Sequence, residues 1–148
     1  MALRIINKKY EWAYPLTKRA GKPKGIVVHN AASTHCTADD IHEWHLDNGW
    51  SGIAYHAFID KQGHIYRGRP IWATGAHALG AGSWLGICFE GNYDREKTMP
   101  KAQLAAGRWL IKRWKKNQPL KTVKRHKDMA GNQTSCPGKW FPWAKLIA

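Results

Sequence analysis

The stretch GIVVHN, residues 25–30, gives the clearest structural signal in the chain. Its β-branched residues follow Gly25 in a short apolar run, which is typical of a strand buried within a sheet. The strand ends at His29 and so places an imidazole at the sheet rim. WLGICFEG (84–91) predicts a second buried strand. TVKRH (122–126) predicts a third core strand, which again ends in a histidine, His126.

Helix and hairpin signals alternate with these strands. TADD (37–40) is a capping box and predicts a helix that runs to Asn48, before Gly49. AYHAFID (54–60) and HIYRG (64–68) flank a KQG turn and predict a β-hairpin. A second helix is expected from Thr98 to about Lys116, and FPWAKLI (141–147) predicts a short helix or turn. This alternation predicts the α/β class, with a central mixed sheet flanked by helices.

The length of 148 residues predicts one domain spanning 1–148, with residues 1–24 as an irregular basic arm packed on it. The segment IWATGAHALGAGS (71–83) is rich in Gly and Ala, and its side chains are too small for a buried strand. It is therefore predicted to be a long loop, and long loops often carry functional residues. The opening MALRIINKKYEW contains no long apolar run before its first charges. We therefore expect synthesis in the cytoplasm without a signal peptide, and no membrane partner.

The formal net charge of +14 favours a polyanionic partner, which could be nucleic acid, an anionic membrane or a cell wall. Charge that only improves solubility is the alternative interpretation. The second predicted helix carries a basic stripe at Lys101, Arg108, Lys112 and Lys115, which is either a solvated face or a binding surface.

Two strand-end histidines and a nearby cysteine suggest a metal site. Cys136 follows His126 by ten positions, on a loop long enough to curl back towards the sheet. Two imidazoles and one thiolate make a three-ligand zinc site with an open fourth position, which is a catalytic arrangement. Buried histidines are also commonly structural. The rival ligands from the same sequence are His42, His45, His56, His64 and His77.

Five blocks in order make the chain recognisable: VVHN (27–30), GIAYHAFIDKQGHIYRGRP (52–70), GAHALGAG (75–82), LGICFEGNY (85–93) and RHKDMAGNQTSCPG (125–138). Over about residues 24–147 the chain resembles the zinc-dependent N-acetylmuramoyl-L-alanine amidases, a family that includes phage endolysins and the animal peptidoglycan recognition proteins.

The resemblance implies roles for individual residues. These are zinc ligands at His29, His126 and Cys136, catalytic residues at Tyr55 and Thr134, and substrate contacts at His77, Trp72 and Asn30. Tyr55 could instead only pack on the sheet, Thr134 could only cap the loop of Cys136, and His77 could be structural. Cys88 falls where some relatives carry a catalytic glutamate, and Glu90 is out of register with that position. A mechanism based on a glutamate base is therefore in doubt.

The implied function is zinc-dependent hydrolysis of the amide between N-acetylmuramic acid and L-alanine in peptidoglycan, with one Zn²⁺ ion. A phage or prophage endolysin that lyses a Gram-positive host fits best, acting on the wall after release. Expected partners are peptidoglycan and anionic wall polymers, with no nucleic acid, and the protein is expected to be a monomer. A non-catalytic peptidoglycan-binding module is the main alternative, and a nucleic-acid-binding protein is a weaker one.

Overall fold

The structure is a computed structural model that describes residues 2–148. Within that range it forms one six-stranded sheet and three α-helices. In chain order these are β1 (Ile5–Ile6), β2 (Ile26–Asn30), α1 (Ala38–Asp47), β3 (Ala57–Ile59), β4 (Ile65–Arg67), β5 (Leu85–Phe89), α2 (Lys101–Asn117), β6 (Val123–Arg125) and α3 (Trp143–Ile147). A short 3₁₀ turn, His126–Asp128, follows β6.

The strand order across the sheet is β1-β4-β3-β5-β2-β6. The β3–β4 hairpin is antiparallel and the other neighbouring pairs are parallel, so the predicted mixed α/β sheet is confirmed. The residues of β2 and β5 are buried on both faces, as expected for the apolar runs that predicted them. None of the helices in residues 2–148 is long and apolar enough to cross a membrane.

The two faces of β2 contact different helices. Ile26 and Val28 join the core cluster that includes Leu110 and Trp114 of α2. Since side chains alternate along a strand, His29 points to the other face. On that face His29 pairs in register with Cys88 of β5, and the side chain of Cys88 packs with α1. The metal-site candidate therefore lies on the face opposite α2.

Several predicted elements need correction at their edges. The N-terminal arm contributes strand β1, because Ile5 and Ile6 pair with β4. The predicted third core strand is β6, a half-buried edge strand. Helix α2 begins at Lys101, after Pro100 as its N-cap. The capping box of Thr37 and Asp40 at the start of α1 is confirmed in both its hydrogen bonds.

Candidate metal centre and active site

Three predicted ligands meet at the rim of the sheet. His126 directly follows β6, and Val28 pairs with Arg125 in the parallel ladder, so His126 lies beside His29. Their ring centroids are 4.7 Å apart. Cys136 lies on the next loop, with its Sγ 3.8 Å from His29 Nδ1. The ligating atoms of the three side chains all lie within 4.8 Å of one another.

The hydrogen bonds around His77 fix the tautomer of His29. Burial lowers the pKa of His77 to about 4, so its ring is neutral at neutral pH. Its Nε2 lies 3.0 Å from the carbonyl oxygen of Trp84, which can only accept, so this nitrogen carries the proton. His77 Nδ1 therefore accepts from His29 Nε2 across 2.8 Å. The unprotonated Nδ1 of His29 is left on the side of Cys136, as a metal ligand requires.

Asn132 fixes His126 in a similar way. Its amide nitrogen donates to the carbonyl oxygens of Leu79, Met129 and Ala130, so its amide oxygen is an acceptor. That oxygen lies 3.0 Å from His126 Nε2, which therefore carries a proton and leaves Nδ1 free. Asn132 was not among the predicted site residues. Its position between two predicted ligands in RHKDMAGNQTSCPG is the sequence signal that could have found it.

The loop around Cys136 is held by backbone contacts. Thr134 Oγ1 accepts from the backbone N–H of Cys136 at 3.1 Å, which is the capping interaction considered from the sequence. The N–H of Asn30 points at Cys136 Sγ from 3.3 Å. Burial raises the pKa of Cys136 to about 12, and the Asn30 N–H partly opposes this rise. Metal binding must therefore displace a thiol proton.

Zinc fits this donor set. Tetrahedral bonds of about 2.0 Å to nitrogen and about 2.3 Å to sulfur separate the two donors by about 3.5 Å. The observed distance of 3.8 Å between His29 Nδ1 and Cys136 Sγ is close to that value. Two neutral imidazoles and one sulfur leave a fourth position open, which is the pattern of catalytic rather than structural zinc sites.

Tyr55 lies beside the cluster, just before β3. Its ring centroid is 5.0 Å from that of His29 and 5.5 Å from that of His45. Burial, reinforced by the thiols of Cys88 and Cys136, raises the pKa of Tyr55 well above its usual value. The phenol therefore stays protonated at neutral pH and acts as a hydrogen-bond donor.

The three residues expected to contact substrate occupy different environments. His77 is buried and uses both ring nitrogens inside the protein, so it supports His29 instead of offering a free nitrogen. Asn30 is also buried, and its Nδ2 has no hydrogen-bond partner within residues 2–148. Trp72 is 50% exposed, and its substrate contact stays a prediction.

The rival histidines are occupied elsewhere. His42, His45 and His56 each accept a backbone N–H at Nδ1, and His64 pairs with Asp60. Within the described part of the chain, one group of three or more His, Cys, Asp or Glu side chains has ligand geometry, and it is the predicted one.

Glu90 has a structural place. Its carboxylate accepts the backbone N–H groups of Cys36 and Lys61 at 3.1 and 2.8 Å. Cys88 is fully buried among apolar side chains, as expected of a small hydrophobic residue. A glutamate base at the position of Cys88 is therefore absent from this chain.

The chain combines a mixed α/β sheet with a candidate three-donor metal cluster at the rim of that sheet. The family described as N-acetylmuramoyl-L-alanine amidase matches residues 19–139. The chain belongs to this amidase family.

Individual relatives agree with this assignment. The endolysin of Klebsiella phage KP32 is 30% identical over 135 residues, covering 82% of this chain and 87% of the phage protein. The solved endolysin LysCS from Clostridium intestinale URNW is 39% identical, with a TM-score of 0.90 over 97% of this chain and 92% of that chain. A bumblebee peptidoglycan recognition protein, PGRP-SA, is 24% identical with a TM-score of 0.82, covers 93% of this chain and 90% of its own, and shows the shared fold.

Proposed function

We propose that the protein is a zinc-dependent N-acetylmuramoyl-L-alanine amidase that cleaves between N-acetylmuramic acid and L-alanine in peptidoglycan. The observation that carries the proposal is the convergence of His29, His126 and Cys136 within 4.8 Å. Both histidines have their Nε2 protons engaged elsewhere, and a protonated tyrosine lies alongside. When bound, zinc would supply a Lewis acid that polarises an amide carbonyl and activates water for attack.

The surrounding side chains supply the remaining chemistry. Tyr55 donates a hydrogen bond to the carbonyl oxygen as negative charge develops on it, and losing one such donor typically costs about 3 kcal/mol of barrier. Thr134 uses its oxygen to accept from Cys136, so its O–H remains available to orient water or the oxyanion. His29 and His126 keep their orientation through His77 and Asn132.

The test is digestion of purified peptidoglycan with and without a chelator, followed by mass analysis of the products. We expect stem peptides that begin with alanine beside intact glycan, lost with chelator and restored by zinc. Cys136→Ser is expected to lose both zinc and cleavage, while His35→Ala, whose side chain is 82% exposed, serves as the control. Intact sacculi that still bind the protein would favour the non-catalytic module, and cleaved sugar bonds would exclude the amidase chemistry.

The biological setting is proposed as a phage or prophage endolysin that acts on a Gram-positive wall after release. The similarity to phage endolysins supports the endolysin role. The similarity to a Clostridium endolysin and the strong positive charge support a Gram-positive wall. Walls from Gram-positive and Gram-negative bacteria, digested side by side at equal peptidoglycan concentration, test the host class. Faster digestion of Gram-negative sacculi would count against this host.

A further inference from the structure

The positive charge is concentrated in the last third of the chain. Residues 97–148 contain 13 Lys and Arg and a single acidic residue, Asp128, a net of +12. Residues 1–96 contain 11 basic and 9 acidic residues, a net of +2. Almost all of the +14 therefore belongs to the part of the fold formed by α2, β6 and α3. A charge that served solubility alone would not need this segregation.

The charges on α2 form a stripe on its outer side. At 100° per residue, Lys101, Arg108, Lys112, Lys115 and Lys116 fall within an arc of about 100° over a length of about 22 Å. The opposite side of α2 packs on the sheet through Leu110 and Trp114. Because α2 covers the sheet face opposite His29, this cationic stripe faces away from the metal cluster.

These charges are not neutralised within the protein. Within residues 2–148, no α2 cation lies within ion-pair distance of a carboxylate. Arg108, Lys112 and Lys116 are spaced four residues apart, so neighbours repel one another. Lys101 opposes the helix dipole in a first turn that holds no acidic residue. Lys115 and Lys116 in the last turn favour the dipole, but the mutual repulsion and the position of Lys101 disfavour the helix, which points to an external anion as the partner of the stripe.

We propose that the cationic stripe of α2 binds a phosphate-rich polymer attached to peptidoglycan. Evenly repeated phosphates match a row of uncompensated cations. A polymer anchored on the glycan would hold the enzyme at its substrate while the opposite face remains free for cleavage. The proposal rests on the proposed function only in placing the protein at the cell wall.

The experiment compares two triple variants with equal charge. Lys101→Gln/Lys112→Gln/Lys116→Gln removes three exposed cations from the stripe, and Lys9→Gln/Lys18→Gln/Lys22→Gln removes three from the exposed N-terminal arm. Each lowers the formal net charge from +14 to +11. Binding is measured by sedimentation with Gram-positive sacculi that retain their phosphate polymers, and with the same sacculi after hydrofluoric acid has removed them. A chelator is present throughout to stop turnover.

We expect the wild-type protein to bind untreated sacculi more tightly than stripped sacculi. Each lysine near a strongly anionic surface raises the binding affinity on the order of fivefold. The α2 variant, which lacks three lysines, should therefore bind untreated sacculi about a hundredfold more weakly. The arm variant should lose less than about threefold, since its cations lie outside the stripe. Circular dichroism checks that both variants fold, and a weaker salt dependence of the α2 variant gives a second readout.

Three results would overturn the proposal. These are equal binding to untreated and stripped sacculi, equal losses in the two variants, and tighter binding to duplex DNA or lipopolysaccharide vesicles at the same phosphate concentration. Because the chelator removes turnover, the two proposals fail separately. If the protein cleaves peptidoglycan but does not bind the polymer, only the docking proposal is refuted. If it binds the polymer but does not cleave peptidoglycan, only the amidase proposal is refuted.

Discussion

His77 shows how a single residue outside the metal cluster can determine its chemistry. It accepts from His29 Nε2 and donates to the carbonyl of Trp84, so it sets both the tautomer and the ring orientation of His29. Loss of such a supporting partner typically weakens metal binding about 10- to 100-fold. We therefore expect His77→Ala to lower zinc affinity by about this factor, measured by competition with a chromophoric chelator.

His77→Asn provides the matched rescue, because its amide oxygen can accept near the position of Nδ1. We expect this variant to retain most of the zinc affinity. If His77 acted only by filling space, an apolar replacement would restore zinc affinity equally well. Nitrogen NMR of the His29 ring gives an independent readout: the Nε2–H tautomer should persist in His77→Asn. Unchanged zinc affinity in both variants would show that His77 does not position His29.

Asn132 links a metal ligand to a neighbouring loop. Its side chain contacts both the backbone N–H and the carbonyl of Leu79 while it holds His126. We expect Asn132→Ala to weaken zinc binding about tenfold and to speed hydrogen exchange at the Leu79 amide, measured by mass spectrometry. Gln133→Ala, an exposed neighbour, is the control. Faster exchange without a change in zinc affinity would separate the loop contact from metal positioning.

At the scale of elements, the position of a charge along α2 determines whether it stabilises the helix. A negative charge at position 101 would interact favourably with the positive end of the helix dipole, whereas Lys101 interacts unfavourably with it. Pro100, the N-cap residue, makes no side-chain hydrogen bond that caps the helix. We expect Lys101→Glu to be about 1 kcal/mol more stable than Lys116→Glu, because the same charge change at the last turn is unfavourable. Urea unfolding measures both. Equal shifts would show that net charge, and not position on the helix, governs stability.

The elements that the sequence predicted well are those with local signals. The capping box at Thr37 fixed the start of α1, and the apolar runs located β2 and β5, since burial on both faces requires continuous hydrophobicity. The edge position of β6 depends on pairing with β2, which no local pattern encodes. Likewise, the sequence predicted the three candidate ligands, but the bonds of His29 to His77 and of His126 to Asn132 depend on how the loops fold.

At the scale of the whole molecule, buried neutral histidines couple stability to pH. His56 donates from Nε2 to the carbonyl of Ala73 and accepts the N–H of Gly86 at Nδ1, so protonation would break a hydrogen bond. Burial lowers the pKa of His56 to about 3 and that of His77 to about 4. The unfolded chain titrates near the ordinary value of about 6.5. Below that pH the unfolded state binds more protons, so the free energy of unfolding falls as pH falls.

Burial also lowers the pKa values of His29 and His45, which act in the same direction. The buried histidines together predict a loss of at least about 2 to 4 kcal/mol in the free energy of unfolding between pH 7.5 and pH 5. Urea titrations in chelator measure this in the metal-free protein, so that zinc release does not contribute. Asp94 and Asp128 have lowered pKa values, and their contributions disappear only at more acidic pH. Gln133→Ala, which changes an exposed side chain that does not titrate, should leave the pH dependence unchanged. A free energy of unfolding that stays constant from pH 7.5 to pH 5 would mean that the buried histidines accept protons without loss of the fold.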